Sequence, residues 1–61
     1  MKLKAFRQLD FELLQYGEYL KIYDYKLENN TYMRVRIIKY QDKIWYHEMI
    51  SGKTTKIDVL D

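Results

Sequence analysis

The sequence predicts an α+β domain, an N-terminal helix packed on a four-stranded antiparallel β-meander, and three observations predict it. Apolar residues recur at helical spacing through residues 2–16 and stop at Gly17. Four later runs, 18–27, 31–40, 44–50 and 54–60, are rich in Tyr, Ile, Val and Thr, which suit a pleated, half-buried surface. The connections between them are short and polar and contain no Pro. A parallel pair needs a crossover of about a dozen residues or more, so connections this short leave antiparallel neighbours.

The helix rests on a stripe. At 100° per residue, Leu3, Ala5, Phe6, Leu9, Leu13, Leu14 and Tyr16 share one side of a cylinder. The segment is Leu-rich and lacks β-branched residues, both of which favour helix. Gly17 follows where a helix stop is expected. Three features oppose this reading. Leu9 to Leu13 alternates as a strand does, Phe11 lies outside the stripe, and Lys2, Lys4 and Arg7 sit at the unfavourable end of the helix dipole. The alternative fold is a small all-β, SH3-like barrel with residues 9–13 as a strand.

The first hairpin organises the remainder. Asn tolerates the positive φ of a tight turn, so Asn29-Asn30 is read as a two-residue turn that pairs Glu28 with Thr31. Tyr25 then faces Arg34, Tyr23 faces Arg36, Lys21 faces Ile38, Tyr19 faces Tyr40 and Ile22 faces Ile37. This register gives a core face of Leu20, Ile22, Met33, Val35 and Ile37, with Asp24 and Lys26 on the same side near the turn. The opposite face carries Tyr19, Lys21, Tyr23, Tyr25, Tyr32, Arg34, Arg36 and Tyr40. Beyond the hairpin, three-residue turns at 41–43 and 51–53 send Trp45, His47, Met49, Ile57 and Val59 to the core. They also set Glu48 opposite Arg36 and Lys56 opposite Glu48. Two-residue turns would instead send Ile44, Tyr46 and Ile50 inward, to the core.

Composition narrows the function classes. Sixty-one residues make one small domain, which buries about 60% of the surface its unfolded chain exposes. Chains this small often lean on a disulfide, a metal or a partner. Cysteine is absent and His47 is the lone histidine, so no disulfide and no zinc site is expected, and a reducing cytoplasm is the expected location. No apolar run nears the roughly 20 residues of a membrane span, and Asp10 interrupts any secretory apolar segment. The formal charge of +2 is mild for a nucleic-acid binder.

The candidate site is the Tyr/Arg face of the hairpin. Tyr and Arg anchor interfaces, and Tyr25–Arg34 and Tyr23–Arg36 are expected to form cation–π pairs. Left uncovered, so many tyrosines exceed the apolar patch a monomer usually exposes. The implied class is a non-enzymatic protein-interaction module that masks a partner protein, with a homodimer through the same face or through the uncovered edge strand at 54–60 as one outcome. Its size and cysteine-free composition suit an inhibitor from a phage or mobile element. The alternative is a single-strand nucleic-acid binder, stacking bases on tyrosine and tracking phosphates with Lys21, Arg34 and Arg36.

Two motifs are set aside. His47 and Glu48 are adjacent on a strand and point to opposite faces, so they do not form an acid–base pair. The SGKTTK stretch lacks the first glycine of a phosphate loop and precedes a strand, so it reads as a hairpin turn. No cofactor is implied, and a chain this short is expected to lack room for a ligand pocket of about 300 Å³.

Overall fold

The protein's structure, a computed structural model, describes residues 3–60, with side chains from Phe6 onward. Lys2, and the expected packing of Leu3 and Ala5, lie outside the described residues. Helix α1 spans Leu3–Tyr16, followed by strands β1 (Glu18–Lys26), β2 (Tyr32–Tyr40), β3 (Lys43–Ile50) and β4 (Lys53–Val59). The sheet is open and antiparallel in the order β1-β2-β3-β4. The α+β meander therefore holds, and no barrel closes. The shortest dimension is 19 Å, which fits one helix of about 10–12 Å laid on a single sheet.

Gly17 shows why the helix seats where it does. Its N–H donates to the Leu13 carbonyl at 3.0 Å, which completes the last turn. A Cβ at this position would run into Ile38 Cγ2 and the Leu13 carbonyl. Gly17 is needed for close approach to β2, since Gly52 is the glycine with positive φ. Leu13 and Ile38 are fully buried at this contact. Phe6, Leu9 and Leu14 are half-buried along the same stripe. Tyr16, expected on that stripe, is instead 67% exposed, with its ring edge-on to Phe11.

Three polar contacts pin the helix across the strands. Tyr40 Oη donates to Glu12 Oε1 at 2.7 Å, and Tyr19 Oη donates to the Leu14 carbonyl at 2.6 Å. Asp10 Oδ1 lies 2.7 Å from His47 Nε2 and accepts from Thr54 Oγ1 at 2.9 Å. The helix thus runs from the β1–β2 end of the sheet across β3 toward β4. It leaves β1 exposed along its whole length.

The turns depart from expectation at all three hairpins. The first hairpin closes one pair later than expected, with Leu27 N–H donating to the Thr31 carbonyl at 2.6 Å. Glu28, Asn29 and Asn30 together form the turn, with φ of 62° and 58° at the two asparagines. One extra turn residue shifts β2 by one, so Asp24 pairs with Arg34, Tyr23 with Val35 and Ile22 with Arg36. The predicted pairs Tyr25–Arg34, Tyr23–Arg36, Lys21–Ile38 and Ile22–Ile37 are replaced. A β-bulge between Tyr19 and Lys21 changes the register again, pairing Tyr19 with Ile38 in place of Tyr40.

The other two turns hold two residues each, Gln41-Asp42 and Ser51-Gly52, all with positive φ. Positive φ at both central positions is the turn geometry that matches strand twist. They replace the three-residue turns expected at 41–43 and 51–53. Glu48 consequently pairs with Val35 and not with Arg36, while its expected pairing with Lys56 is present.

Together these shifts invert one strand. On β3, and on β1 from Lys21 onward, the faces are as expected, with Ile22 and with Trp45, His47 and Met49 on the helix side, whereas Tyr19, beyond the bulge, moves from the expected open side to the helix side. On β2 the helix side carries Tyr32, Arg34, Arg36, Ile38 and Tyr40, and the far side carries Met33, Val35 and Ile37. The expected core face is thus corrected for β2.

Candidate interaction face

The side of the sheet that the helix does not cover is built from alternate residues of all four strands. By register it carries Lys21, Tyr23 and Tyr25 from β1, and Met33, Val35 and Ile37 from β2. Ile44, Tyr46, Glu48 and Ile50 follow from β3, with Lys56 and Asp58 from β4. Successive side chains on a strand alternate between faces, which is why these residues converge.

The centre of this face is dense. Val35 is only 5% exposed although no element lies over it, so its neighbours on the sheet provide the cover. Tyr23 and Tyr25 stack with ring centroids 6.5 Å apart and are 41% and 47% exposed. Opposite them, Tyr46 Oη donates to Glu48 Oε1 at 2.8 Å, and Thr55 Oγ1 donates to Glu48 Oε2 at 2.7 Å. Lys56 Nζ stands 5.8 Å from the Tyr46 ring centroid. These bonds hold the Glu48 carboxyl below its ordinary range, Thr55 first and Tyr46 second. The bond to Glu48, followed by burial, raises the Tyr46 phenol.

The structure divides the eight residues expected to form one site. Lys21, Tyr23 and Tyr25 lie on the open face. Tyr19, Tyr32, Arg34, Arg36 and Tyr40 lie on the helix side. The two expected Tyr–Arg cation–π pairs do not form. Arg34 makes a bidentate pair with Asp24, at 2.7 and 3.0 Å. This bond lowers the Asp24 pKa and raises that of Arg34. Arg36 instead stands over the Tyr19 ring, 5.4 Å from its centroid.

In exchange, the open face gains Met33, Val35, Ile37, Ile44, Tyr46 and Ile50. The grouping of Ile44, Tyr46 and Ile50 with the apolar side of β2 follows from two-residue turns, so the turn length was the signal for them. The register also puts Glu18, Lys39 and Lys53 at the margins of this face, so its four lysines are only partly offset by Glu18, Glu48 and Asp58. The total accessible surface is 4778 Å², against about 4,300 Å² for a compact monomer of 7.6 kDa. The excess is what a two-layer molecule with one uncovered sheet face would show.

His47 is fully buried. Asp10 and Thr54 both approach the same nitrogen, Nε2, with Thr54 Oγ1 at 3.4 Å. A nucleophile–base–orienter relay uses both ring nitrogens, so this cluster is a structural tie between helix and sheet. Glu48 points to the other face, as alternation requires. Among the described residues, no group of three or more His, Cys, Asp or Glu could hold a metal ion. No helix among the described residues is long and apolar enough to cross a membrane.

A second feature lies on the helix side, beyond the helix. A groove of about 450 Å³ is lined by Asp24, Tyr32, Arg34, Arg36, Met49 and Gly52. A chain this short was expected to lack such room. The helix crosses the sheet on a slant toward β4 and leaves this corner unfilled.

Compared with protein-family models, curated proteins and solved structures, the chain matches none.

Proposed function

We propose that this protein is a non-enzymatic interaction module that docks its open sheet face on a partner protein and masks the surface it covers. One observation carries the reading. Met33, Val35 and Ile37 lie between the stacked Tyr23–Tyr25 pair and Tyr46, which gives one continuous apolar and aromatic face with no helix over it. Tyr supplies large, stiff contact area with a polar tip, and such residues anchor interfaces when surrounded by water-excluding contacts. The small core points the same way. Leu13, Val35 and Ile38 are the buried apolar side chains among the described residues, so a covering partner would add stability. A cytoplasmic inhibitor encoded by a phage or mobile element fits the size and composition.

Single-strand nucleic-acid binding is the competing class, and the register weakens it. Arg34 and Arg36 lie on the side away from Tyr23 and Tyr25, so on the open face rings and guanidinium groups do not interleave. Self-association through the same face is the third outcome.

The test is a pull-down from cell lysate with wild type and Tyr23→Ala/Tyr25→Ala, repeated with nuclease and at raised salt. A protein retained by wild type in every condition and lost with the double variant supports the reading, provided circular dichroism of the variant is unchanged. Binding that disappears with nuclease or falls steeply with salt means nucleic acid. Sedimentation as a dimer that the same substitutions dissociate assigns the face to a second copy.

A further inference from the structure

We infer that the helix-side groove at Arg36 is a binding site for a carboxylate carried next to an apolar group, such as an acidic side chain of a protein partner. The argument starts from what Arg36 lacks. It is half-buried, and its Nη1 donates to the Met49 thioether at 2.9 Å, a weak acceptor. Its Nε is buried without a hydrogen-bond partner. The guanidinium also stands over the Tyr19 ring, and the nearby Asp24 carboxylate, which feels its charge, is already taken by Arg34. A guanidinium carries five N–H donors in a fork suited to a carboxylate, and buried cations are ordinarily paired with acids.

Its neighbour is different. Arg34, two residues away on the same face, is satisfied by both oxygens of Asp24. Two arginines and one aspartate leave the groove with a single positive charge. That balance matches a monoanion better than a phosphate dianion. Tyr32 and Met49 supply apolar walls, and Met is the side chain best able to adapt to an unspecified shape. The Ser51–Gly52 turn closes one end and is tied to β2 by a bond from Ser51 N–H to the Tyr32 carbonyl at 3.2 Å. The volume lies within the range of small-ligand sites, about 300–1,000 Å³. The site is on the opposite side of the sheet from Tyr23 and Tyr25, so it stands or falls independently of the open-face reading.

The probe is 4-methylpentanoate, with 4-methylpentanamide and inorganic phosphate as comparison arms. Each is titrated into ¹⁵N-labelled protein, following the Arg36 Nε–Hε resonance and the backbone amides of Arg36 and Met49. The carboxylate is expected to shift these signals saturably, with the amide at least about tenfold weaker, the step expected from losing a charge-assisted bond. Arg36→Gln should abolish the response, Arg36→Lys should weaken it severalfold, and Tyr23→Ala/Tyr25→Ala should leave it intact. Equal responses to carboxylate and amide, or a response that survives Arg36→Gln, would overturn the inference. A stronger response to phosphate would overturn the monoanion assignment. If Arg36→Gln does not fold, the carboxylate–amide comparison on wild type still decides.

Discussion

Gly17→Ala tests the contact that decides which sheet face stays open. Two effects oppose each other. Gly17 has no positive φ, so alanine can adopt its backbone, and the substitution would ordinarily stabilise by about 0.4–1 kcal/mol through the unfolded chain. Against that, the new Cβ meets Ile38 Cγ2 and the Leu13 carbonyl. Ile38 is fully buried and the carbonyl belongs to the last helical turn, so neither can retreat cheaply. Overpacking of this kind costs about 1–3 kcal/mol. The upper half of that range applies where backbone is struck, which leaves a net loss of about 1–2 kcal/mol. For a domain of this size that corresponds to a fall in Tm of roughly 5–15 °C. Urea unfolding followed at 222 nm and thermal melts would both read it. A Gly17→Ala protein as stable as wild type, or more so, means the helix does not seat on Ile38, and the assignment of the open face fails with it.

Leu13→Ala, at the same contact, should cost about 2–5 kcal/mol, enough to unfold a domain of marginal stability in a urea titration. Asp10→Ala strips His47 and Thr54 of their shared acceptor and should cost about 1–3 kcal/mol, whereas Thr54→Val should cost less because the Asp10–His47 contact survives. Asp24→Asn should leave the urea midpoint unchanged, because the Arg34 pair is solvent-exposed. Acidification should destabilise the protein. Glu12 and Glu48 both have carboxyls lowered by hydrogen bonds, so the unfolded chain binds more protons. Their contribution is present above the ordinary carboxylate pKa of about 4 and is lost as pH falls below it. A urea midpoint as high at pH 3 as at pH 7 would refute that account.

The element plan was legible because each element announces itself locally. Leu9, Leu13 and Leu14 at helical spacing, the polar turns after Tyr40 and Ile50, and the β-rich runs between them need no knowledge of distant contacts, although the turns were read as three residues each and hold two. The facing of β3, and of β1 from Lys21 to Lys26, was also legible, while the bulge that turns Tyr19 to the helix side was not. Trp45, His47 and Met49 do lie against the helix, and Tyr23 and Tyr25 do face away from it.

What only the tertiary structure decided is the facing of β2, and with it the composition of the site. Side chains alternate with a period of two, so one additional residue in the Glu28–Asn30 turn moves Arg34 and Arg36 to one side and Val35 and Ile37 to the other. The strand's own sequence does not arbitrate. Met33, Val35 and Ile37 make an apolar set on one side, while Ile38, flanked by Arg36 and Tyr40, makes another possible seat on the other. The choice falls to Ile38 because Gly17 lets the end of the helix approach it closely and because Glu12 and Asp10 find Tyr40, His47 and Thr54 on that side. Those partners are distant in sequence and meet only once the sheet has formed, so no local pattern carries the choice.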